Sequence, residues 1–351
     1  MTLSNVLAAL ARLFMPAGIR RMVAMGDLLT GAWVSRGIGV AARLGVADQI
    51  GDAPAPIVDL ARTCAANEDA LYRLLRMLAA AGLFREWPDK RFSLTELGAL
   101  LRSDHPNTMR AFAAYNGDPW HWRMWGDLGE SVRTGKPATA GDAGEPFFAF
   151  LARSPAAAAS FDAAMADLSN ARDISAISAY DFGQFTTVVD VGGGEGQLVR
   201  SVLSAFPELN GVLYDLPDVI ARAASKIERD GLAARCRLIA GSFFDSVPAG
   251  GDAYMLKQVL HDWQDDRATE ILTSCRRALP ERGKVLIFEF VVPADDRPAL
   301  GKLSDIEMLA CTGGRERTLQ EYQTLLAAAG LRFLRVYATR SPFTIIEASV
   351  A

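Results

Sequence analysis

Residues 187–199 read Thr-Val-Val-Asp-Val-Gly-Gly-Gly-Glu-Gly-Gln-Leu-Val, a β-branched apolar run that stops in four glycines and then resumes. This pattern predicts a buried strand from Thr187 to Val191, a turn at Gly192, Gly193, Gly194 and Gly196, and a helix from about Gln197. Glycines at such a turn let the backbone approach a ligand at the strand's carboxyl end, where open α/β sheets bind. A glycine turn needs no ligand by itself, so its surroundings decide. Asp215 follows about 20 residues beyond the loop, at the end of the run GVLYDL, where a carboxylate accepts hydrogen bonds from both ribose hydroxyls. Loop and acid together imply a nucleoside. The spacing Gly-x-Gly-x-Gly is one residue shorter than the dinucleotide fingerprint, and no Walker lysine follows, which favours a nucleoside cofactor without phosphates. Asp190 has two readings of equal weight: a carboxylate that repels pyrophosphate but tolerates a sulfonium or ammonium group, or a strand-end residue bonding the loop amides.

Outward from this loop, short β-rich runs alternate with helical stretches: QLVRSVLSAF, GVLYDL, VIARAASKIE, CRLIAG, DAYMLKQV, ATEILTSCRRAL, KVLIFEFVV. Such alternation means an α/β domain with a parallel sheet and crossover helices. The end differs. The helical stretch LQEYQTLLAAAG leads into LRFLRVYAT and FTIIEASV, consecutive strands separated by Arg340, Ser341 and Pro342, so a terminal antiparallel hairpin is expected. Residues 1 to about 175 have helical spacing instead, including the Ala-rich stretch SPAAAASFDAAMADLS. Within them, a helix-turn-helix pattern is followed by a short hairpin around Pro88 and Asp89, the outline of a winged helix. Its second helix carries only Arg73 and Arg76 among apolar residues, so packing is favoured over a DNA-reading role.

Composition agrees. With 351 residues, 50% hydrophobic and 22% charged, the chain suits about two globular domains, and a net charge of -4 gives no field for nucleic acid. Cys64, Cys236, Cys275 and Cys311 form no metal-spaced cluster and read as reduced thiols of a cytoplasmic protein, with no metal expected. The stretch MTLSNVLAALARLFMPAGIRR lacks a basic leader and a spanning apolar run, so neither export nor membrane insertion is expected.

The ordered motifs VVDVGGGEG, YDLP, GSFFD, MLKQVLHDW, LIFEFVVP and GGRERT resemble the S-adenosylmethionine-dependent O-methyltransferases of the plant caffeate type and of bacterial natural-product pathways, polyketide and phenazine-like ones included. The resemblance runs over essentially the whole chain. It implies a winged-helix-like, mainly α dimerisation domain at 1–108, a helical linker lining the acceptor pocket at 109–180, and a Rossmann-like methyltransferase sheet with its terminal hairpin at 181–351. It further implies a homodimer, S-adenosylmethionine as cofactor, and a small, aromatic hydroxyl compound as acceptor. Carried over residue by residue, it places Gly192 and Gly194 at the cofactor's methionine end, Asp215 and Leu216 at the ribose, and Ser242 and Phe243 at the adenine. Ser242 stands where aspartate is common, which weakens one bond to the adenine amino group. Lys257, and Ser169 near the cofactor's carboxylate, complete the set.

Methyl transfer to oxygen is an in-line displacement, so the protein must align the atoms and supply a base. The chain has three histidines, His105, His121 and His261, and His261 directly follows the strand DAYMLKQVL at the ligand-binding edge. The resemblance makes His261 the general base, with Trp263 packed behind it and Glu289 and Glu316 flanking it to orient the imidazole. Glu289 ends the apolar strand KVLIFEFV, where a lone carboxylate is costly; Glu316 flanks a helix start, where acids are favoured in any case. Met165, Trp122 and Trp263 are read as acceptor contacts, although Met165 also suits a core and the Trp120, Trp122, Trp125 cluster also suits packing between domains. Three rivals remain: a relative that hydroxylates or decarboxylates on the same fold, a nucleoside-sensing winged-helix regulator, and a nicotinamide-dependent dehydrogenase.

Overall fold

A computed structural model describes residues 15–138 and 145–351, with the side chains of 170–174 left aside. The reading of the first residues as neither leader nor membrane segment falls largely on 1–14, outside the described residues. The chain divides into two units, Met1–Asp118 and Pro119–Ala351.

In the first unit, helix α1 (Ala17–Leu44) ends where Gly45 turns left-handed at φ 67° and its N–H reaches the carbonyls of Ala41 and Ala42. Helices α2 (Ile57–Thr63) and α3 (Glu68–Ala80) follow, the latter capped by the Asn67 side chain accepting from the Ala70 N–H at 3.0 Å. Leu71, Leu75 and Leu78 of α3 recur at helical spacing and are buried beside Leu60, Phe84 and Phe92, while Arg73 and Arg76 point to solvent. Strands β1 (Ala55–Pro56), β2 (Phe84–Trp87) and β3 (Arg91–Leu94) form a small antiparallel sheet in the order β1-β3-β2. Its hairpin turns at Pro88–Lys90, where the wing was expected. Short helices α4 (Glu96–Ala99) and α5 (Arg110–Asn116) complete the unit. One face of α1 stays uncovered: Ile19, Met22, Met25, Leu28, Leu29 and Trp33 are all exposed.

The second unit opens with helices α6 (Pro119–Gly126), α7 (Leu128–Thr134), α8 (Phe147–Arg153) and the long α9 (Pro155–Ala179). Its sheet comprises β4 (Thr187–Val191), β5 (Asn210–Asp215), β6 (Cys236–Ala240), β7 (Ala253–Lys257), β8 (Lys284–Glu289), β9 (Leu331–Ala338) and β10 (Thr344–Val350). The order is β6-β5-β4-β7-β8-β10-β9. The first five strands are parallel, and β10 inserts antiparallel between β8 and β9, so the terminal hairpin closes one edge.

Alternation along β4 explains the layers. Val189 and Val191 point into one core with Ile271 and Leu272 of α12 (Asp265–Ala278) and Leu325 and Leu326 of α14 (Leu319–Ala328). Val188 points into the other, with Leu198 and Val202 of α10 (Gln197–Ala205) and Ala223 and Ile227 of α11 (Pro217–Arg229). Helix α13 (Leu300–Cys311) packs with α6, α8 and α9 around Met124, Phe147, Leu151, Ala310 and Cys311. All four cysteines are free and buried. Among the described residues no helix is long and apolar enough to cross a membrane.

Candidate active site

Five parallel strands deliver Gly192, Gly194, Asp215, Leu216, Ser242, Phe243, Lys257, His261 and Glu289 to one edge, because each ends its strand or lies in the loop that follows, whereas Met165 and Ser169 sit on α9, Trp122 on α6 and Glu316 after α13. At the end of β4, Gly192, Gly194 and Gly196 adopt φ values of 67°, 59° and 80°, a region that favours glycine. A Cβ on Gly192 would lie 3.0 Å from Val259 and 3.3 Å from the Phe243 ring, so the aromatic side chain leans directly on the loop. A Cβ on Gly194 would meet nothing within 4 Å, so the rim there faces open space. Asp190 is fully buried beneath the loop and accepts the Val199 N–H, in the first turn of α10, at 3.1 Å.

At the end of β5, the Asp215 carboxylate accepts the Gly194 N–H at 2.8 Å and the Leu216 N–H at 2.7 Å. Burial raises its pKa, and these two amides work against that rise. Each oxygen keeps a lone pair beyond these bonds. Leu216 itself is exposed at the rim. At the end of β6 the Ser242 hydroxyl accepts the Phe244 N–H at 3.2 Å, which fixes the turn that presents Phe243. Lys257, ending β7, donates to the Ser169 hydroxyl of α9 at 3.1 Å, joining two predicted residues 88 positions apart. Ser169 in turn donates to the Met165 carbonyl at 2.8 Å.

His261 sits in a short turn after β7 and is 5% exposed. Its Nδ1 lies 2.8 Å from Glu316 Oε1 and 3.6 Å from Glu289 Oε2. The two acids do different work. Glu289 Oε1 accepts the N–H groups of Val259 and Leu260 at 3.0 Å and of His261 at 3.4 Å, so it holds the turn's backbone. Glu316 makes the imidazole contact and also accepts from Ser304 at 2.7 Å. Because a carboxylate only accepts, Nδ1 carries the proton in this contact and Nε2 is left as the basic nitrogen. On that side Asp262 Oδ1 stands 3.8 Å from Nε2.

Burial lowers the imidazole's pKa, but Glu289, Asp262 and Glu316 outweigh it and push it up to about 10. Burial pushes Glu289 up to about 7 and Asp262 to about 6, both against the attraction of His261. The cluster therefore holds a proton tightly at Nε2, which makes a strong base once that proton has left.

Two further residues of the GGRERT motif, Gly314 and Arg317, position this turn. Arg317, fully buried, donates to the carbonyls of Leu260 at 2.9 Å and Trp263 at 2.7 Å and to Asp265 at 2.9 and 3.0 Å. Gly314 lies against the turn so closely that a Cβ would fall 2.0 Å from the His261 carbonyl oxygen. A buried, hydrogen-bonding arginine has no sequence signal of its own; only its place beside Glu316 hinted at it.

The aromatic candidates separate. Trp263 meets Phe244 edge-on at 4.7 Å, Phe243 at 6.2 Å and, stacked, Phe148 at 6.2 Å, which puts it among the β6-end residues. Trp122 is half-buried on α6, and its neighbour Trp125 donates from Nε1 to Glu307 of α13 at 2.6 Å. His121 also meets Glu307, at 2.8 Å. Neither Glu307 nor these contacts were foreseen.

The O-methyltransferase domain family matches residues 125–332, and the O-methyltransferase dimerisation domain family matches residues 26–104. A phenazine O-methyltransferase of Lysobacter antibioticus is 42% identical over 322 residues, covering 92% of this chain and 94% of its own. A solved O-methyltransferase of neocarzinostatin biosynthesis, in complex with S-adenosylmethionine and 2-hydroxy-5-methyl naphthoic acid, superposes with a TM-score of 0.78 at 36% identity, covering 90% of this chain and 96% of its own. An aclacinomycin 10-hydroxylase of Streptomyces purpurascens is 34% identical over 312 residues, covering 88% of this chain and 82% of its own.

Proposed function

This chain belongs to the S-adenosylmethionine-dependent O-methyltransferase family, and from that premise we propose that it methylates a hydroxyl of a small aromatic acceptor with His261 as general base. The cofactor's chemistry fits the edge described above. An open glycine rim beside a carboxylate with spare lone pairs suits a ribose, and Phe243 against Gly192 offers an apolar face to a base. A pyrophosphate at this loop would meet the carboxylates of Asp215 and Glu195, the latter already paired with Lys226. Gly192, Gly194, Asp215, Leu216, Ser242 and Phe243 would hold the nucleoside, and Ser169 and Lys257 the amino-acid end. We add Trp263 to the adenine side on account of its ring contacts with Phe243 and Phe244, in place of the acceptor role expected for it. Bound S-adenosylmethionine supplies a methyl group on a sulfonium leaving group.

The observation that carries the proposal is the Nδ1 contact to Glu316, which turns Nε2 of His261 toward proton acceptance. In the reaction the acceptor's O–H bond breaks, its proton passes to Nε2, and the oxygen keeps the electron pair that forms the new bond to carbon. Glu316 and Glu289 then stabilise the imidazolium, while Arg317 and Gly314 keep the turn from yielding. Met165 and Trp122 are proposed contacts of the acceptor ring. Hydroxylation or decarboxylation gives a carboxylate-held imidazole of this kind no evident part. The test is incubation with S-adenosylmethionine and a panel of naphthols: a methyl ether is expected, and cofactor binding without transfer to any phenol would overturn the reading. We further propose a homodimer formed through the uncovered apolar face of α1, in the cytoplasm, as the dimerisation family match and four reduced thiols favour. Light scattering on Leu28→Asp with Trp33→Asp checks it, the expected result being a halved mass.

A further inference from the structure

One face of α13 links the histidine to a second buried polar cluster. Ser304, Glu307 and Cys311 share that face at i, i+3 and i+7, and Ser304 bonds the very oxygen of Glu316 that meets His261. Glu307 Oε1 faces His121 Nε2 at 2.8 Å and accepts from Cys311 Sγ at 3.3 Å, and its Oε2 accepts from Trp125 Nε1 at 2.6 Å. Asp262, the residue beside His261, is close enough to raise the Cys311 thiol electrostatically, so the two clusters adjoin from both directions.

Three donors leave one of the carboxylate's four lone-pair sites, on Oε2. Burial is the largest influence on Glu307 and would raise its pKa, yet the bonds from His121, Trp125 and Cys311 hold it below the usual range, so the group is anionic. Even so, 24% of its side-chain surface remains accessible. The carboxylate is therefore anionic, held by three donors and still partly open. Its bonding partner Cys311 belongs to an apolar cluster with Met124, Phe147 and Leu151, against which Trp120 and Phe161 pack. A divalent cation is the other conceivable guest, since ligand atoms of His121, Glu307 and Cys311 lie within 4.8 Å of one another. Against it, the thiol is pushed far above its ordinary range and acts as a donor to Glu307, not as a ligand.

We propose that Glu307, held in place by His121 and Trp125, is the acceptor-selecting group of this enzyme and recognises an aromatic acceptor that carries an N–H donor, an amine or a protonated ring nitrogen, in addition to the hydroxyl to be methylated. The inference rests on the methyltransferase reading, so its test reads binding as well as turnover. Dissociation constants of 1-naphthol and of the isomeric aminonaphthols are measured on the complex with S-adenosylhomocysteine, for the wild type and for Glu307→Gln. At least one aminonaphthol should bind the wild type roughly tenfold tighter than 1-naphthol, as a hydrogen bond to a charged group warrants, and that preference should fall to near one in Glu307→Gln. A substitution that only loosens the α6–α13 contact would weaken all naphthols in proportion, which would overturn the proposal, as would a wild type without preference. Because Glu307→Gln could disturb folding, His121→Gln is run beside it, with thermal midpoints and cofactor affinity as controls; it keeps the carboxylate and should keep the preference. Preferential binding of an aminonaphthol without methylation of any naphthol would support this inference and sink the catalytic one.

Discussion

The two units bury different chemistry. Among the described residues, every buried charged, histidine or serine side chain lies after position 118: His121, Ser131, Ser169, Asp190, His261, Ser274, Glu289, Glu316, Arg317, Glu347 and Ser349. The first unit buries leucines, isoleucines, alanines and phenylalanines and leaves its anomaly outside, as the apolar face of α1. Desolvating a charge costs free energy unless it is paired and bonded, whereas an uncovered apolar face waits only for a partner. The contrast therefore separates a unit that leaves an apolar face open for the association proposed above from one that accepts polar burial, much of it at the proposed catalytic edge. It can be broken by showing that the polar core of the second unit is merely structural.

The harshest test is His261→Ala. If the imidazole is the base, kcat falls by about 10²–10⁴-fold while cofactor affinity holds, as single-turnover rates and calorimetry would reveal. A loss of cofactor binding instead would demote the residue to structural support. Asp215→Ala comes next. It removes the acceptor proposed for the ribose and the bond to the Gly194 amide, so S-adenosylmethionine affinity should drop by about 10²-fold or more in calorimetric titration, with the fold's thermal midpoint nearly preserved.

Glu316→Gln sharpens the picture through pH. The substitution keeps an oxygen that can accept from Nδ1 but removes a negative charge that favours the imidazolium. If His261 is the base, turnover needs Nε2 free of its proton, and the rate rises with pH through the histidine's pKa. That pKa is raised in the wild type, to about 10 without ligands. Taking away Glu316 lowers it, and the acid limb of the rate profile should move down by about 1–3 pH units, with a lower plateau because the base is weaker. A limb that stays put would mean that Glu316 does not act on the base.

How much of this was legible beforehand follows the range of the interactions. The strand, glycine turn and helix at 187–199, Asp215, and the paired terminal strands are local patterns, and they appear in the structure where the sequence placed them. Lys257 with Ser169, and His261 with Glu316, were singled out one by one through family resemblance, but their contacts span 88 and 55 positions. What stayed hidden is pairing at long range without a motif. Glu307 meets His121 across 186 positions and Trp125 across 182. Arg317 reads in sequence as one more solvated charge, since its burial follows from carbonyls gathered only by the folded turn. Glu289 was read as an imidazole partner through family resemblance, and it stands 3.6 Å from Nδ1; its bonds to backbone amides 28 to 30 positions away have no side-chain signature and were not legible.

The closest comparison of the two units comes from a pair of glycines, because each unit contains one pressed on a backbone carbonyl. A Cβ at Gly98, in α4, would lie 1.9 Å from the Leu83 oxygen; one at Gly314 would lie 2.0 Å from the His261 oxygen. Either alanine must displace backbone, at a cost of about 1–3 kcal/mol, so Gly98→Ala and Gly314→Ala should lower the thermal midpoint comparably. Their consequences for turnover differ. The first shifts Leu83, just ahead of β2, where nothing reacts. The second shifts the turn that carries His261, and a displacement of about 1 Å at a reacting group costs roughly 10²-fold in rate. Specific activity per folded molecule should therefore survive in Gly98→Ala and fall in Gly314→Ala. Equal losses would mean that strain in the first unit reaches the catalytic edge, and the division of labour between the units would have to be given up.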